Sequence, residues 1–145
     1  MATVYIKPGT GSGSGTLAAP YFYSELATAE TAAGSGGTIL FTDGSYAGST
    51  WDASGVTYES LNLHGAIITT SGIQFGASGV SVTVKKFKIT PNSGERVEFY
   101  DSTLVDQCHA AFTNSFIFNI KSSGGKITNT LIENNVADTS YAYRL

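Results

Sequence analysis

Apolar residues in this chain occur in short alternating segments that are separated by glycine, proline, asparagine and aspartate. Alternation of apolar and polar residues over about four to eight positions is the pattern of a half-buried β-strand. Residues 4–6 and 37–41 are the first segments of this kind, and each is followed by a turn signal, Pro-Gly or Asp-Gly. Residues 24–33 depart from the pattern, because this alanine-rich segment ahead of Gly34 predicts a helix. The sequence therefore predicts an all-β chain with one short helix.

The order of these segments predicts a single domain in which the helix closes the first edge of a stack of strands. Residues 1–23 are an extended N-terminal segment with a Gly/Ser loop at 11–15, residues 24–36 the capping helix, and residues 37–145 the turns of the stack. A loop of glycine and serine is expected to be either mobile or an arm that becomes ordered on contact.

The capping helix is expected to contact the strands through one apolar face. Leu26 and either Ala29 or Ala33 recur at helical spacing, so they are expected to face inward. The strand that they cover is predicted at residues 37–41, the first of the stack.

The second half of the chain contains a recurring unit of two apolar pairs separated by polar corners. The apolar columns are Phe99, Phe112, Ile127 and Leu104, Ile117, Ile132. The polar columns are Lys85, Asp101, Asn114, Asn129 and Thr90, Asp106, Asn119, Asn134. Successive units lie 13 to 16 residues apart, which is short for a full three-sided turn. The unit is therefore either a compact turn or part of a larger one.

Columns of like residues favour a parallel coil, in which each side chain lies about 4.8 Å above its equivalent in the preceding turn. Apolar columns then fill the interior, and Asn or Asp at corners tolerates a left-handed backbone. The predicted fold is a right-handed parallel β-helix with a short N-terminal capping helix. An antiparallel β-sandwich or jelly roll, which also has short strands and glycine-rich turns, is the alternative.

Composition narrows the classes of protein that this chain represents. The 145 residues are 41% apolar and 13% charged, with a net charge of −3, which is the composition of one folded domain. Eight scattered Lys and Arg residues form no basic stripe, so no nucleic-acid partner is expected. No apolar run reaches the roughly 18 to 20 residues of a membrane helix, and no signal peptide is visible, so neither membrane insertion nor secretion is expected.

Few residues have the arrangement that catalysis requires. Cys108 and His109 are adjacent on a predicted strand and point to opposite faces, and His64 is remote in sequence. Asp106 and Glu133 are the nearest approach to a glycosidase carboxylate pair, but the sequence favours them as corner residues of a polar ladder. The Gly/Ser tract lacks the Lys-Ser/Thr pair of a phosphate loop. No catalytic residue, metal ligand or cofactor is predicted.

Aromatic residues outside the apolar columns are candidates for an interface, since buried aromatic anchors dominate many protein contacts. Residues 139–145 alternate like a strand, and no helix, proline or run of charges protects its edge, so pairing with a partner chain is expected there. The candidate interface residues are Tyr21, Phe22, Tyr23, Trp51, Tyr141 and Tyr143.

Residues 3–48 resemble the opening of pectate-lyase-like right-handed parallel β-helix proteins. The resemblance lies in an extended segment, a glycine-rich tract, a Pro-aromatic step, an alanine-containing helix and a Gly-Thr-Ile-Leu strand with a following Gly-Ser-Tyr turn, and it covers about a third of the chain. The glycine-rich tract lacks the acidic and Asn residues common there. Such openings occur in bacteriophage tail spikes and other virion proteins, and in polysaccharide-degrading enzymes.

This resemblance implies a non-enzymatic structural virion protein, namely a bacteriophage capsid decoration (cement) protein that stabilises the shell in many copies. Its partners would be the major capsid protein or other virion proteins and copies of itself, as a homo-oligomer for which a trimer is one option. It would be made in the host cytoplasm and located on the capsid surface. The alternative is a carbohydrate-binding or polysaccharide-degrading β-helix module similar to a tail spike.

Overall fold

A computed structural model describes residues 2–69, 72–90, 96–112, 117–121, 124–134 and 143–144. Its strands are short and follow one another closely, as the alternating segments predict. In chain order they are β1 (Thr3–Lys7), β2 (Tyr21–Phe22), β3 (Thr38–Phe41), β4 (Gly44–Ala47), β5 (Thr50–Trp51), β6 (Thr57–Ser60), β7 (Ala66–Thr69), β8 (Ile73–Phe75), β9 (Thr83–Lys85), β10 (Lys88–Thr90), β11 (Arg96–Phe99), β12 (Leu104–Asp106), β13 (His109–Phe112), β14 (Ile117–Ile120), β15 (Lys126–Thr128), β16 (Leu131–Asn134) and β17 (Tyr143–Arg144).

The strands form three parallel sheets that enclose one interior. Sheet A has the order β15-β12-β9-β6-β3-β1-β2, sheet B the order β16-β13-β10-β7-β4, and sheet C the order β17-β14-β11-β8-β5. Each successive triplet from β3–β5 to β15–β17 therefore contributes one strand to every sheet, and we number these triplets coils 1 to 5. The chain is a parallel β-helix, or β-solenoid, so the predicted fold class is confirmed and the antiparallel alternative is wrong.

The interior is filled by apolar residues that stack in register from coil to coil. On sheet B, Tyr46, Ile68, Ile89 and Ala110 are consecutive register partners, and each is at most 1% exposed. Removal of an aliphatic or aromatic side chain of this size from water stabilises a fold by about 1.5 to 3 kcal/mol. The stacked columns are therefore the main source of stability of the coil.

The true repeat is longer than the sequence columns implied. Ile39, Tyr58, Val84, Val105 and Ile127 are successive register partners on sheet A, at spacings of 19 to 26 residues.

The predicted apolar columns are wrong, because their units are sides of one coil and not whole coils. Phe99 lies on sheet C, Phe112 on sheet B and Ile127 on sheet A. The second set is divided in the same way, with Leu104 on β12, Ile117 on β14 and Ile132 on β16.

The corners between sheets A and B contain residues with a left-handed backbone. Lys86, Gln107 and Asn129 each follow a sheet A strand and have φ values of 63°, 53° and 47°. This conformation costs an ordinary L-residue about 1 to 2 kcal/mol. Phe87 follows Lys86 and Cys108 follows Gln107. Both side chains point into the core and are at most 1% exposed. Burial of these side chains offsets the backbone cost.

Some residues of the predicted polar columns do form corners of the coil. The columns themselves are wrong, because their members do not lie at equivalent positions of successive coils. Asp101 and Asn129 have left-handed φ values of 44° and 47°. The corner after β9 is formed by Lys86, since Lys85 is the last residue of the strand. Asn114 lies outside the described residues. Thr90 and Asp106 end strands of different sheets, whereas Asn119 and Asn134 belong to β14 and β16.

The N-terminal end of the interior is covered by a helix, as predicted. A short 3₁₀ turn at Tyr23–Glu25 leads into the helix α1 (Leu26–Ala33). Ala29 is 0% exposed and Ala33 is 2% exposed, and Leu26 packs partly against the core. The inward face expected from the helical spacing is confirmed.

The Gly/Ser tract is packed against the edge of sheet A. The Gly13 N–H donates to the Glu25 carboxylate at 3.0 Å, and the Gly15 carbonyl accepts from the Tyr5 N–H at 2.8 Å. A Cβ on Gly13 would lie 2.0 Å from the Pro20 carbonyl oxygen, and one on Gly11 would lie 2.6 Å from the Phe22 ring. Glycine is required because the loop touches the edge strand. These contacts argue against the freely mobile loop that the composition suggested.

Candidate functional site

The N-terminal edge of sheet A carries the first group of candidate interface residues. Tyr21 and Phe22 form the edge strand β2 and are half-buried beneath the Gly/Ser tract. The Lys7 ammonium lies 4.1 Å from the centroid of the Phe22 ring, a favourable cation–π contact. Leu17, at the tip of the adjoining turn, is 59% exposed. We call Leu17, Tyr21 and Phe22 the N-terminal surface.

Tyr23 is half-buried and its hydroxyl takes part in a polar network beneath the cap. The hydroxyl donates to the Ala47 carbonyl at 2.7 Å and accepts from the Trp51 indole N–H at 3.2 Å. Burial is the main cause that raises the pKa of Tyr23, and the nearby Glu30 carboxylate adds to it. These contacts give Tyr23 a packing role in the coil.

Trp51 does not lie at the surface, so the prediction of an interface anchor is wrong for this residue. It is 0% exposed and stacks between Phe41 and Tyr58, at centroid distances of 4.8 and 5.0 Å. Its strand β5 has two residues, which is too short to show the alternation that marks an inward position. Tyr141 lies outside the described residues, and Tyr143 is placed by its backbone in β17, in register with Phe118. An interface role for these tyrosines remains a prediction.

A carboxyl group beneath the cap is unusual because it is half-buried. Glu30 on α1 accepts a hydrogen bond from the Tyr58 hydroxyl at 2.7 Å. Burial raises the pKa of Glu30, the Tyr58 hydrogen bond opposes this, and the Asp52 carboxylate adds to the increase. Burial also raises the pKa of the Tyr58 hydroxyl strongly. The arrangement holds α1 on the coil.

The two carboxylates considered as a catalytic pair lie on different sheets. Asp106 ends β12 and accepts hydrogen bonds from the Asn129 amide at 2.9 Å and the Thr128 hydroxyl at 2.8 Å. These bonds lower the pKa of Asp106, the Asn129 bond most strongly. Glu133 lies on β16 and pairs with His109 at 2.9 Å. Both carboxylates therefore connect neighbouring coils, as the ladder interpretation expects.

Cys108 and His109 point to opposite faces of the coil, as predicted from their adjacency. Cys108 is 1% exposed, and burial raises the pKa of its thiol to about 12. The His109 ring is on the outer face of sheet B, where it meets Glu133. A thiol with this pKa is not a nucleophile at neutral pH.

Sequence reasoning missed a cluster on the corner between sheets A and B. The His64 and His109 rings lie 5.6 Å apart although they are far apart in sequence. We call His64, His109 and Glu133 the histidine corner. Its signal in the sequence was weak, because only the register of the coils brings the two rings together. Among the described residues, no group of three or more His, Cys, Asp or Glu side chains is arranged to hold a metal ion.

The fold defines this chain as a parallel β-helix protein. No family model, curated protein or solved structure matches it. Within the part of the chain that the structure describes, no helix is long and apolar enough to span a bilayer.

Proposed function

We propose that the chain is a non-catalytic structural component of a virion, a bacteriophage capsid decoration protein that binds the shell in many copies. The phage assignment is supported by the resemblance of residues 3–48 to the openings of virion β-helix proteins. Its partners are the major capsid protein or other virion proteins, together with further copies of itself.

The observation that carries this proposal is the N-terminal surface. Leu17 is 59% exposed on a turn that is closed by hydrogen bonds from the Ala19 and Ser14 N–H groups, at 3.2 and 2.9 Å. An apolar side chain on an ordered turn loses little conformational entropy on binding, which favours adhesion. Many weak contacts of this kind add up through avidity when identical copies bind one particle.

The charged and aromatic groups of the N-terminal surface also suit contact with another protein. The Lys7 ammonium covers one face of the Phe22 ring, so the N-terminal surface combines a cation with an aromatic ring. Aromatic and basic residues around an apolar centre are typical of protein interfaces. The carboxylates of Asp106 and Glu133 are occupied by contacts between neighbouring coils.

The test uses particles of the virus that encodes the chain. The particles are produced in the presence of a tagged copy of the protein and purified on a density gradient. We expect the tagged protein to migrate with the particles, and Leu17→Glu to reduce the bound copies about tenfold, as loss of an interface anchor does. Leu63→Glu is the matched control, since Leu63 is 63% exposed at a different place on the coil. Absence of the protein from particles, or equal binding of both variants, would contradict the proposal.

A carbohydrate-binding module is the second candidate, and a column of hydroxyl groups on the outer face of sheet A supports it. Thr38, Thr57 and Thr83 are consecutive register partners on that face. Stacked hydroxyl groups about 4.8 Å apart present a regular series of donors and acceptors to a polysaccharide. Binding to an array of acidic and neutral polysaccharides that is lost in Thr57→Val would favour this candidate. Turnover of a polysaccharide by the wild-type chain that is lost in Asp106→Asn would identify the chain as an enzyme.

A further inference from the structure

The loop between β6 and β7, residues 61–65, differs from the later corners on the same side of the coil. The equivalent corners after β9 and β12 contain two residues each, whereas this one contains five. Its backbone is held by several hydrogen bonds. The Leu61 N–H donates to the Phe41 carbonyl at 2.8 Å and the His64 N–H to the Lys86 carbonyl at 2.7 Å, while the Gly65 carbonyl accepts from the Gly44 N–H at 3.0 Å. The longer loop thus lies across the corners of neighbouring coils.

His64 connects this loop to coils that are remote from it in sequence. The loop belongs to coil 2, but the Nε2 atom of His64 is 3.1 Å from the carbonyl oxygen of Gln107 in coil 4. A carbonyl oxygen only accepts, so Nε2 carries a proton and donates it. His64 also has a left-handed φ of 60°, which is uncommon for a residue other than glycine. The ring contact therefore holds the loop in a conformation that the backbone alone disfavours.

The His64 ring ends beside a second imidazole that already has a partner. The rings of His64 and His109 have centroids 5.6 Å apart and an interplanar angle of 54°. The Nε2 atom of His109 lies 2.9 Å from the Glu133 carboxylate on β16. Lys88 on β10 is the register partner of His109.

The charged groups around the corner do not balance two protonated rings. The Lys86 ammonium pairs with Glu59 at 2.6 Å. Asp43 is held by the Asn62 amide, at 3.0 and 3.1 Å. Asp106, next to Gln107, accepts hydrogen bonds from Thr128 and Asn129. Glu133 is the carboxylate in contact with the histidine pair, and Lys88 adds positive charge beside it.

Imidazole is the side chain that changes charge between about pH 5 and pH 8. While both rings are neutral, they pack against each other, and the Nε2–H of His64 donates to the Gln107 carbonyl. Once both are protonated, two cations share one carboxylate at a short separation and repel each other. His109 is fixed on a strand and by Glu133, whereas His64 is on a loop, so His64 is the ring that moves.

We propose that the histidine corner is a pH-sensitive latch, which holds the loop 61–65 against the coil at neutral pH and releases it in acid. This inference stands on the geometry of the corner and is independent of the proposed virion function. Release of the loop changes the presentation of its two leucines, Leu61 and Leu63, which are 39% and 63% exposed with the latch closed.

The experiment is amide hydrogen exchange of the whole chain, measured by NMR at pH 7.5 and pH 5.5 and corrected for intrinsic rates. The protection of the Leu61 and His64 amides is expected to fall about tenfold at pH 5.5, because repulsion favours the open loop. The Lys86 and Gln107 amides, which donate to the next coil at 3.1 and 3.2 Å, serve as internal controls and are expected to keep their protection. The imidazole signals report protonation of both rings in the same samples.

Two variants identify the charges that operate the latch. His109→Gln keeps a donor for Glu133 but gains no proton, so the pH dependence of the loop amides is expected to disappear while their protection at pH 7.5 stays within about twofold. Glu133→Gln removes the compensating charge and is expected to deepen the fall in acid. An unchanged protection of Leu61 and His64 while both rings protonate would overturn the proposal. So would an equal fall in wild type and His109→Gln.

Discussion

Replacement of Phe87 by alanine tests the stacked interior directly. Phe87 is the inward residue of the corner after β9 and is 0% exposed. Its ring lies 5.1 Å from Phe41 and 5.2 Å from Trp51, in T-shaped and tilted arrangements. The alanine variant therefore leaves a cavity among aromatic rings that strands of other coils hold in place.

The expected loss follows from these contacts. A Phe→Ala change in a well-packed core costs about 3 to 5 kcal/mol. An aromatic pair is worth ~0.5 to 1.5 kcal/mol beyond burial, and the two pairs that Phe87 makes place its loss at the upper end of this range. We therefore expect the free energy of unfolding to fall by about 5 kcal/mol, which is a large share of the ~5 to 15 kcal/mol typical of a domain.

Urea unfolding measures this change, with far-ultraviolet circular dichroism as the signal and the fluorescence of the single Trp51 as a second signal. The midpoint should fall by ~2 to 3 M urea with an unchanged slope. Phe22→Ala is the matched control, since this half-buried ring has one cation–π partner and its loss should cost only about 1 to 2 kcal/mol. A loss below ~2 kcal/mol in Phe87→Ala, or one no larger than in the control, would refute the stacked interior.

Three further predictions concern the corner, the buried thiol and the cap. Gln107 is exposed and has a φ of 53°, so Gln107→Gly should stabilise the chain by about 0.5 to 1 kcal/mol in urea unfolding; a loss of stability would show that the Gln107 side chain matters more than its backbone. Cys108, whose pKa is raised to about 12 by burial, should resist a thiol reagent at pH 8 in the native chain and react completely in denaturant, whereas rapid native labelling would contradict its inward position. Because burial raises the pKa of Glu30, its contribution to stability is present at acid pH and is lost as the pH rises through the folded-state value. Glu30→Gln should therefore have a higher melting temperature than wild type at pH 7 and the same one below about pH 4; a lower melting temperature at pH 7 would contradict this.

The sequence predicts the elements of this fold better than their register. The alternation at residues 37–41 and the spacing of Leu26, Ala29 and Ala33 reflect local patterns, and both are confirmed. Register is not local. The three sides of one coil have similar apolar and polar positions, so Phe99 and Phe112 seem equivalent although they lie on different sheets.

The candidate site was harder to predict for the same reason. Trp51 lies in a two-residue strand, where no alternation distinguishes an inward from an outward side chain. His64 meets His109 only because an extended corner loop lies across two coils. Such a contact follows from how the coils are stacked, and no motif in the sequence records it.

The interior column of sheet B becomes smaller from coil 1 to coil 4, and we expect this gradient to set an order of folding. On sheet B the inward residues change from Tyr46 through Ile68 and Ile89 to Ala110, and at the corner Phe87 is followed by Cys108. In a solenoid each repeat is stabilised only by its neighbours, so smaller side chains give weaker coupling between coils. Coils 1 to 3 should therefore act as the folding nucleus, and thermal unzipping should begin at β13 and β16 and proceed towards the helical cap.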